Sequence, residues 1–255
     1  MRNIKLVLAY DGTCYAGWQR QKGQPTIQEL VEAAIAALTR EKVILHGAGR
    51  TDAGVHAEGM VANFHSRTGI PLAGLVKALN NGLPPDIRVL SAENVANDFH
   101  ARYNARGKCY EYSFIVAEIM PPLLLRYAAQ VAMPLDLDAM EACLPLLVGS
   151  HDFTSFEASG SRESGRSEGK GAVRTIFTCR LQRAEEDADG ICRLTIAGDG
   201  FLRHMVRNIV GTLFAVGTGR IAPHEFAGIL AARNRAQAGA TAPARGLKLK
   251  EVFYE

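Results

Sequence analysis

Cysteine is scarce in this chain. Five occur among 255 residues, an odd number at wide spacing, and no two form a C-x-x-C pair. That pattern disfavours both a zinc site and a disulfide framework, and it predicts a reduced, cytosolic protein. No apolar run reaches about eighteen residues, so we expect no membrane span. The N-terminus, Met1-Arg-Asn-Ile-Lys5, likewise lacks the long apolar stretch of a secretory signal.

Net charge is also small, with 29 basic and 26 acidic side chains and a formal value of +3. A balance so near neutrality permits nucleic-acid binding without arguing for it, so any basic surface has to be local. The apolar fraction of 47% is enough to build a folded core. A chain of this length forms either one large domain or two closely packed ones.

Strand and helix patterns alternate in two similar halves, residues 1–104 and 105–255. Thr26 and Glu29 have the spacing of a helix capping box at the start of the first helix. In the first half, apolar periodicity predicts helices at residues 26–40 and 71–80, and strands at residues 4–10, 43–46, 60–65 and 87–95.

The second half repeats this alternation, which suits an antiparallel or mixed sheet with helices on one face. Pro145 predicts a kink or an early end in the first helix of this half. Residues 149–171 form a predicted loop, rich in Gly, Ser and basic side chains such as Arg162, Arg166 and Lys170. This loop is either a solvated linker or an arm that orders on RNA. The remaining pattern predicts strands at residues 108–117, 173–185, 191–197 and 247–254, and helices at residues 138–148, 201–216 and 223–233.

One glycine-rich segment carries the clearest chemistry. Residues 47–57 read G-A-G-R-T-D-A-G-V-H-A, with Arg50 two residues before Asp52. In an extended backbone the two side chains point to the same face, and the cation keeps the carboxylate ionised. An ionised, oriented carboxylate can act as a covalent nucleophile. The alternative is a glycine-rich hairpin turn with a surface ion pair, and spacing alone leaves both interpretations open.

Further motifs follow in a fixed order along the chain. Together with the R-T-D-A-G-V-H core they resemble the motifs of the tRNA pseudouridine synthase A family, over essentially the whole chain. They are D-G-T-C-Y-A-G-W-Q-R-Q at residues 11–21, N-N-G-L-P-P-D-I at 80–87, F-H-A-R at 99–102, K-C-Y-E-Y at 108–112, H-D-F-T-S-F at 151–156, H-M-V-R-N-I-V-G at 204–211 and A-P-A-R-G-L at 242–247.

The resemblance implies a pseudouridine synthase-like α+β fold. Its central, mostly antiparallel sheet would come from two similar halves, with helices packed on it and a cleft between the halves. Residues 1–104 would carry the catalytic aspartate, and residues 105–255 the active-site tyrosine and a cleft-lining helix. The implied reaction is isomerisation of uridine to pseudouridine at positions 38, 39 and 40 in the anticodon stem-loop of tRNA. Family members act as homodimers, and we expect neither a cofactor nor a metal.

The resemblance also implies roles for single residues. Asp52 would be the nucleophile, and Arg50 would orient it and contact the RNA. Tyr110 would stack on the target base and assist proton transfer at C5, although a tyrosine on a half-buried strand is otherwise a core residue. Arg207 would pair with the aspartate or with a phosphate. Further substrate contacts are expected at Leu247, Trp18, Arg20, His56 and Arg102.

Three alternatives remain at this stage. Trp18 is either a core residue at a strand end or part of an RNA-facing loop, which the resemblance favours. The protein could be a non-catalytic RNA-binding protein of the same fold, but Arg50, Asp52 and Tyr110 are all present. It could also be an unrelated hydrolase with an aspartate nucleophile. The motif lacks a second carboxylate, which argues against glycosidase chemistry.

Overall fold

The computed structural model describes residues 1–131, 134–158, 171–187 and 190–255. The basic loop residues Arg162, Arg166 and Lys170 therefore lie outside the described residues. The α-helices are α1 Ile27–Thr39, α2 Leu72–Gly82, α3 Leu137–Cys143, α4 Met205–Gly217 and α5 Phe226–Ala231. The strands are β1 Arg2–Tyr10, β2 His46–Gly47, β3 His56–Ser66, β4 Ile87–Val95, β5 Gly107–Val116, β6 Ala129–Val131, β7 Gly149–Asp152, β8 Val173–Gln182, β9 Cys192–Gly198 and β10 Leu247–Phe253.

The chain divides into two compact units. The first unit comprises residues 1–106 together with 248–255, and the second comprises residues 107–247. The sequence placed the last eight residues in the second half, and this differs from the observed division. The reason is strand pairing, because Lys248 and Leu249 lie beside His56 and Ala57 of β3 in a parallel register.

The sheet of the first unit has the order β4-β1-β3-β10, with β2 also paired to β3. β1 is antiparallel to both β3 and β4, as its alternating apolar pattern suggests. The alternate residues Ile4, Leu6 and Leu8 are fully buried. Together with the buried apolar stripes of α1 and α2, they form the core of this unit.

The predicted capping box at the start of α1 is wrong. The N-cap Thr26 makes no side-chain cap hydrogen bond. Backbone carbonyls satisfy the first helical N–H groups instead, since Ile27 N donates to Gly17 O at 3.2 Å and Gln28 N to Trp18 O at 3.0 Å. The segment before the helix therefore docks on its N-terminus, which removes the need for a side-chain cap.

The second unit contains an antiparallel sheet of order β5-β9-β8-β7, with β6 added in parallel to β5. Helix α4 is its central helix and is buried along most of its length. The pattern predicted helix from Phe201, but α4 begins at Met205 because His204 adopts a left-handed conformation with φ of 61°. Asn208 on this helix is buried and donates to Phe156 O at 2.8 Å.

Two further local predictions are settled by the structure. Pro145 does end a helix early, because α3 stops at Cys143 and a short 3₁₀ turn follows. Residues 149–152, predicted as loop, form β7 because they pair with β8, so that Gly149 lies opposite Ile176. No helix in the described part of the chain is both long and apolar enough to cross a membrane.

Candidate active site

The loop that carries Asp52 connects β2 to β3 in the first unit. Two buried residues bracket the aspartate, Thr51 on one side and Val55 on the other. The Thr51 hydroxyl shares a 2.8 Å hydrogen bond with the hydroxyl of Tyr10, and Val55 N donates to Asp52 O at 3.1 Å. Asp52 itself is half-buried, and Arg50 is exposed. A rigid loop thus presents a carboxylate at the edge of the core. The pairing of Arg50 with Asp52 stays a prediction.

The N-terminal D-G-T-C-Y-A-G-W-Q-R-Q motif packs directly on this loop. Trp18 N donates to Thr51 O at 3.1 Å, and Gly54 N donates to Tyr15 O at 3.3 Å. Glycines make the approach possible, since a Cβ atom on Gly12 would lie 2.0 Å from the carbonyl oxygen of Val55. The two motifs, about forty residues apart in sequence, therefore form one backbone-to-backbone assembly around the aspartate.

The structure places Trp18 in the core rather than in an RNA-facing loop. Its side chain is 2% exposed, and its ring lies against Gly47, where a Cβ atom would come within 2.6 Å of the indole. The ring centroid is 6.3 Å from that of Tyr10. A ring enclosed in this way cannot stack on a base, so the expected substrate contact of Trp18 is corrected to a role in supporting the loop.

His56 supports the same loop, and its expected substrate contact stays a prediction. It is buried at the first position of β3, and its Nδ1 lies 3.1 Å from both the Gly12 nitrogen and an Asp11 carboxylate oxygen. Those contacts tie the N-terminal motif to the end of the Asp52 loop. Arg20 is half-exposed and forms an ion pair with the buried Glu32. Arg102 is exposed beyond β4, so it is accessible to a ligand.

Tyr110 lies on β5 in the second unit and is 8% exposed. Its ring meets that of Phe201 edge-on, with centroids 5.1 Å apart. Tyr112, two residues along, is fully buried and donates to Pro243 O at 2.9 Å, so it is a core residue. Leu247 is buried. The edge contact holds the Tyr110 ring in a defined orientation.

Arg207 lies on the first turn of α4 and is fixed against the A-P-A-R-G-L segment. Its Nε donates to Ala242 O at 2.8 Å, and Ala242 N donates back to Arg207 O at 3.0 Å. Burial raises the pKa of Tyr112, while the charges of Arg207 and Arg245 oppose that rise. The guanidinium of Arg207 therefore acts on the electrostatics of Tyr112 on β5.

The predicted catalytic residues are thus distributed over both units, with Arg50 and Asp52 in the first and Tyr110 and Arg207 in the second. Sequence reasoning missed the support of Thr51 by Tyr10 and the backbone contacts of Gly12. The glycines were visible in the motif, but nothing in the sequence indicated which backbone would meet them. Among the described residues, no group of three or more His, Cys, Asp or Glu side chains is arranged to hold a metal ion.

A family model described as "tRNA pseudouridine synthase" matches residues 6–104 and 144–255. The chain belongs to this family. It is 48% identical to the tRNA pseudouridine synthase A 1 of Desulfotalea psychrophila over 254 residues, which cover 100% of each chain. It is 47% identical to the tRNA pseudouridine synthase A of Acetivibrio thermocellus, again over 254 residues and 100% of each chain. The predicted membership is therefore confirmed.

A solved chain in the crystal structure of a Cbf5-Nop10-Gar1 complex is a far more distant match. It is 12% identical, with a TM-score of 0.38, and the match covers 96% of this chain. This chain spans about half the length of that one, 48%. Tyr110 lies between the two segments that the tRNA pseudouridine synthase family model matches, whereas the curated relatives align across it.

The contact between Gly12 and Val55 yields a prediction for this member of the pseudouridine synthase family. A Gly12→Ala substitution should displace the Asp52 loop, because the added methyl group overlaps a backbone carbonyl. Overpacking of this kind costs about 1–3 kcal/mol of folding free energy. A shift of about 1 Å in a catalytic group should also slow product formation by roughly 10²-fold.

Urea denaturation and single-turnover pseudouridine formation would measure the two effects. Gly69→Ala is the matched control, because a Cβ atom there meets nothing within 4 Å. A Gly12→Ala protein with parental stability and rate would show that the loop tolerates the displacement.

Proposed function

We propose that the protein isomerises uridine to pseudouridine at positions 38, 39 and 40 in the anticodon stem-loop of tRNA, with Asp52 as the nucleophile. Family membership supports the reaction class. The observation that carries the assignment of Asp52 is its setting, a half-buried carboxylate on a loop whose neighbours Thr51 and Val55 are both buried and hydrogen-bonded. A carboxylate held in this way is oriented before substrate binds, which lowers the entropic cost of attack.

The reaction conserves every atom of the nucleotide. The N1–C1′ glycosidic bond breaks, the uracil ring turns, and a C5–C1′ bond forms. One proton leaves C5, and N1 gains one. If Asp52 attacks the uracil ring, the detached base stays bonded to the enzyme while it turns; if it attacks the ribose carbon, the sugar is bonded to the enzyme and the free base turns in the site. The target uridine must leave the base stack to reach the carboxylate.

Tyr110 and Arg207 serve the later steps. The Tyr110 ring stacks on the extruded base, and its hydroxyl assists removal of the C5 proton. Arg207, held by two hydrogen bonds to Ala242, supplies positive charge for the tyrosine or for a phosphate. Arg50 orients Asp52 and contacts the RNA, and Leu247 packs beneath the base. Trp18 and His56 act by supporting the Asp52 loop.

The protein works in the cytoplasm as a homodimer, with tRNA as its macromolecular substrate and no cofactor. Exposed apolar side chains support a protein–protein contact, because Ile119 and Leu123 lie almost fully in solvent. Large exposed apolar groups of this kind often mark interfaces.

Release of tritium from tRNA labelled at uracil C5 would test the reaction. Stem-loops with a single uridine at position 38, 39 or 40 would test the positions. We expect stoichiometric release from all three and none from a stem-loop without uridine at these positions. Binding without release would indicate the non-catalytic alternative. Release from unrelated positions would overturn the proposed specificity.

Arg102 gives a second test of RNA binding. Its side chain is exposed, and we expect it to contact a phosphate. Arg102→Gln should weaken tRNA binding uniformly across sequences and make the slope of log affinity against log salt concentration less negative by about one. Fluorescence anisotropy across a salt titration would measure the slope.

The control for this prediction is Arg67→Gln. Arg67 is exposed just after β3, an eleven-residue strand whose first residue is His56. Eleven residues span about 35 Å, so Arg67 lies far from the Asp52 loop along the strand. Equal slopes for parent and Arg102→Gln would remove Arg102 from the RNA contact surface.

A further inference from the structure

A row of three neighbouring rings, two half-buried and one exposed, lies on the first unit next to the start of the Asp52 loop. The centroids of His46 and His100 are 4.8 Å apart with their planes tilted by 43°, and those of His100 and Tyr103 are 4.3 Å apart with a tilt of 34°. The Arg102 guanidinium lies 6.0 Å from the Tyr103 ring centroid. We call these four residues the ring stack. His46 opens β2, so it stands six residues before Asp52.

The outer end of the ring stack is in solvent. Tyr103 is 77% exposed, so its ring contributes little to the stability of the fold. An aromatic side chain so exposed, beside a cation and two imidazoles, has the composition of surfaces that bind unpaired bases. Packing in the core of the first unit does not explain why an aromatic ring stands at residue 103.

A buried polar network holds the segment beneath the ring stack. Asn63, almost fully buried on β3, accepts from Ala101 N at 2.8 Å and donates to Phe99 O at 3.2 Å. The buried Asn3 donates to the same Phe99 oxygen at 2.8 Å. Tyr254 donates to Ala101 O at 2.7 Å. Four hydrogen bonds therefore fix the backbone that carries His100 and Tyr103.

The same network links the ring stack to the Asp52 loop. His46 of β2 pairs in register with Asn63 of β3. Asn63 thus contacts both β2, which leads into the catalytic loop, and the segment that carries His100 and Tyr103. A ligand resting on the rings would lie on a surface fixed relative to the loop.

His100 is locked within this surface. The ring Nδ1 of His100 accepts from the backbone N–H of Arg102 at 3.1 Å, and the backbone N–H of His100 donates to Asn104 Oδ1 at 2.7 Å. Partial burial and the neighbouring His46 lower the pKa of His100. A neutral ring with Nδ1 as acceptor offers an uncharged aromatic face, which suits stacking.

We propose that the ring stack binds an unpaired base of the RNA substrate, a nucleotide of the loop next to the target uridine, with Tyr103 as the outer stacking face. The inference rests on the proposed function only in taking a tRNA loop as the ligand. When a uridine leaves the base stack of the RNA, the neighbouring bases lose a stacking partner, and a rigid aromatic surface of the protein replaces that contact. Arg102 would hold the adjoining phosphate.

The test measures binding of an anticodon stem-loop RNA that carries 2-aminopurine at single loop positions. Tyr103→Ala should weaken binding by about 5- to 150-fold, the range for loss of one stacked base, and should abolish quenching at one loop position. Tyr103→Phe should behave like the parent. The salt slope should not change in Tyr103→Ala, because no charge is removed.

Phe177→Ala is the control, since Phe177 on β8 is also a solvent-accessible ring, at 47% exposure, and belongs to the other unit. Thermal unfolding would verify that Tyr103→Ala folds like the parent. Parental affinity and quenching in Tyr103→Ala would overturn the proposal, as would an equal loss in Phe177→Ala. Tritium release by the parent is scored separately, so a failed reaction and a failed stacking surface give different results.

Discussion

Asp52→Asn should bring pseudouridine formation down to background while tRNA still binds. A carboxamide keeps the size and the backbone contacts of the aspartate, including the bond from Val55 N to Asp52 O, but it cannot act as the nucleophile. Removing a nucleophile commonly costs more than about 10⁴-fold in rate. We therefore expect no measurable tritium release in single-turnover reactions with excess enzyme.

The comparison that isolates chemistry is between rate and affinity. Dissociation constants for the anticodon stem-loop should stay within about threefold of the parent, since the substitution leaves the loop anchored through Thr51 and Val55. Asp98→Asn, an exposed carboxylate of the same unit, is the matched control and should react normally. Turnover by purified Asp52→Asn above background would contradict the assignment of Asp52 as the nucleophile.

Tyr110→Phe should slow the reaction by roughly 10²–10⁴-fold, the usual contribution of general acid–base catalysis. The phenyl ring retains the edge contact with Phe201 and any stacking on the base, so only the hydroxyl is lost. If the hydroxyl moves the C5 proton, its loss should lower the turnover rate and leave the affinity for RNA unchanged. Single-turnover rates between pH 6 and 9 would separate these roles.

Tyr112→Phe supplies the control on the same strand. Its hydroxyl is buried and bonds Pro243 O, so its loss should cost about 1–3 kcal/mol of folding free energy through the unpaired carbonyl. The catalytic rate should change little. If Tyr110→Phe stays within about threefold of the parental rate at every pH, stacking is the only role left for that ring.

The sequence was most informative where a residue's environment is set by its neighbours along the chain. Alternation predicted β1 and β4 because the apolar side chains of a half-buried strand face one way. The helical stripes of α1 and α2 identified both helices to within about two residues. Motif order, rather than any single motif, indicated the tRNA pseudouridine synthase family, which the comparisons confirm.

Predictions from the local sequence pattern were wrong where a segment distant in sequence supplies the backbone hydrogen bonds. The cap of α1 depends on carbonyls of Gly17 and Trp18, so the Thr26 side chain is not used. β7 forms only because β8 lies beside it, more than twenty residues further along. The first residues of the predicted helix at 201–216 are not helical, because His204 turns the backbone into the left-handed region. None of these partners is visible within a short window of sequence.

The sequence alone therefore determined the family and most of the strand and helix order, because these follow from residue type and spacing. The roles assigned to Asp52, Arg50, Tyr110 and Arg207 stay predictions. Tertiary structure decided which side chains face solvent. Trp18 is buried because Gly47 has no side chain to exclude the indole, and Tyr103 stands exposed because buried asparagines fix the backbone next to it. Such placements depend on contacts between residues far apart in the chain, and only the folded structure brings those residues together.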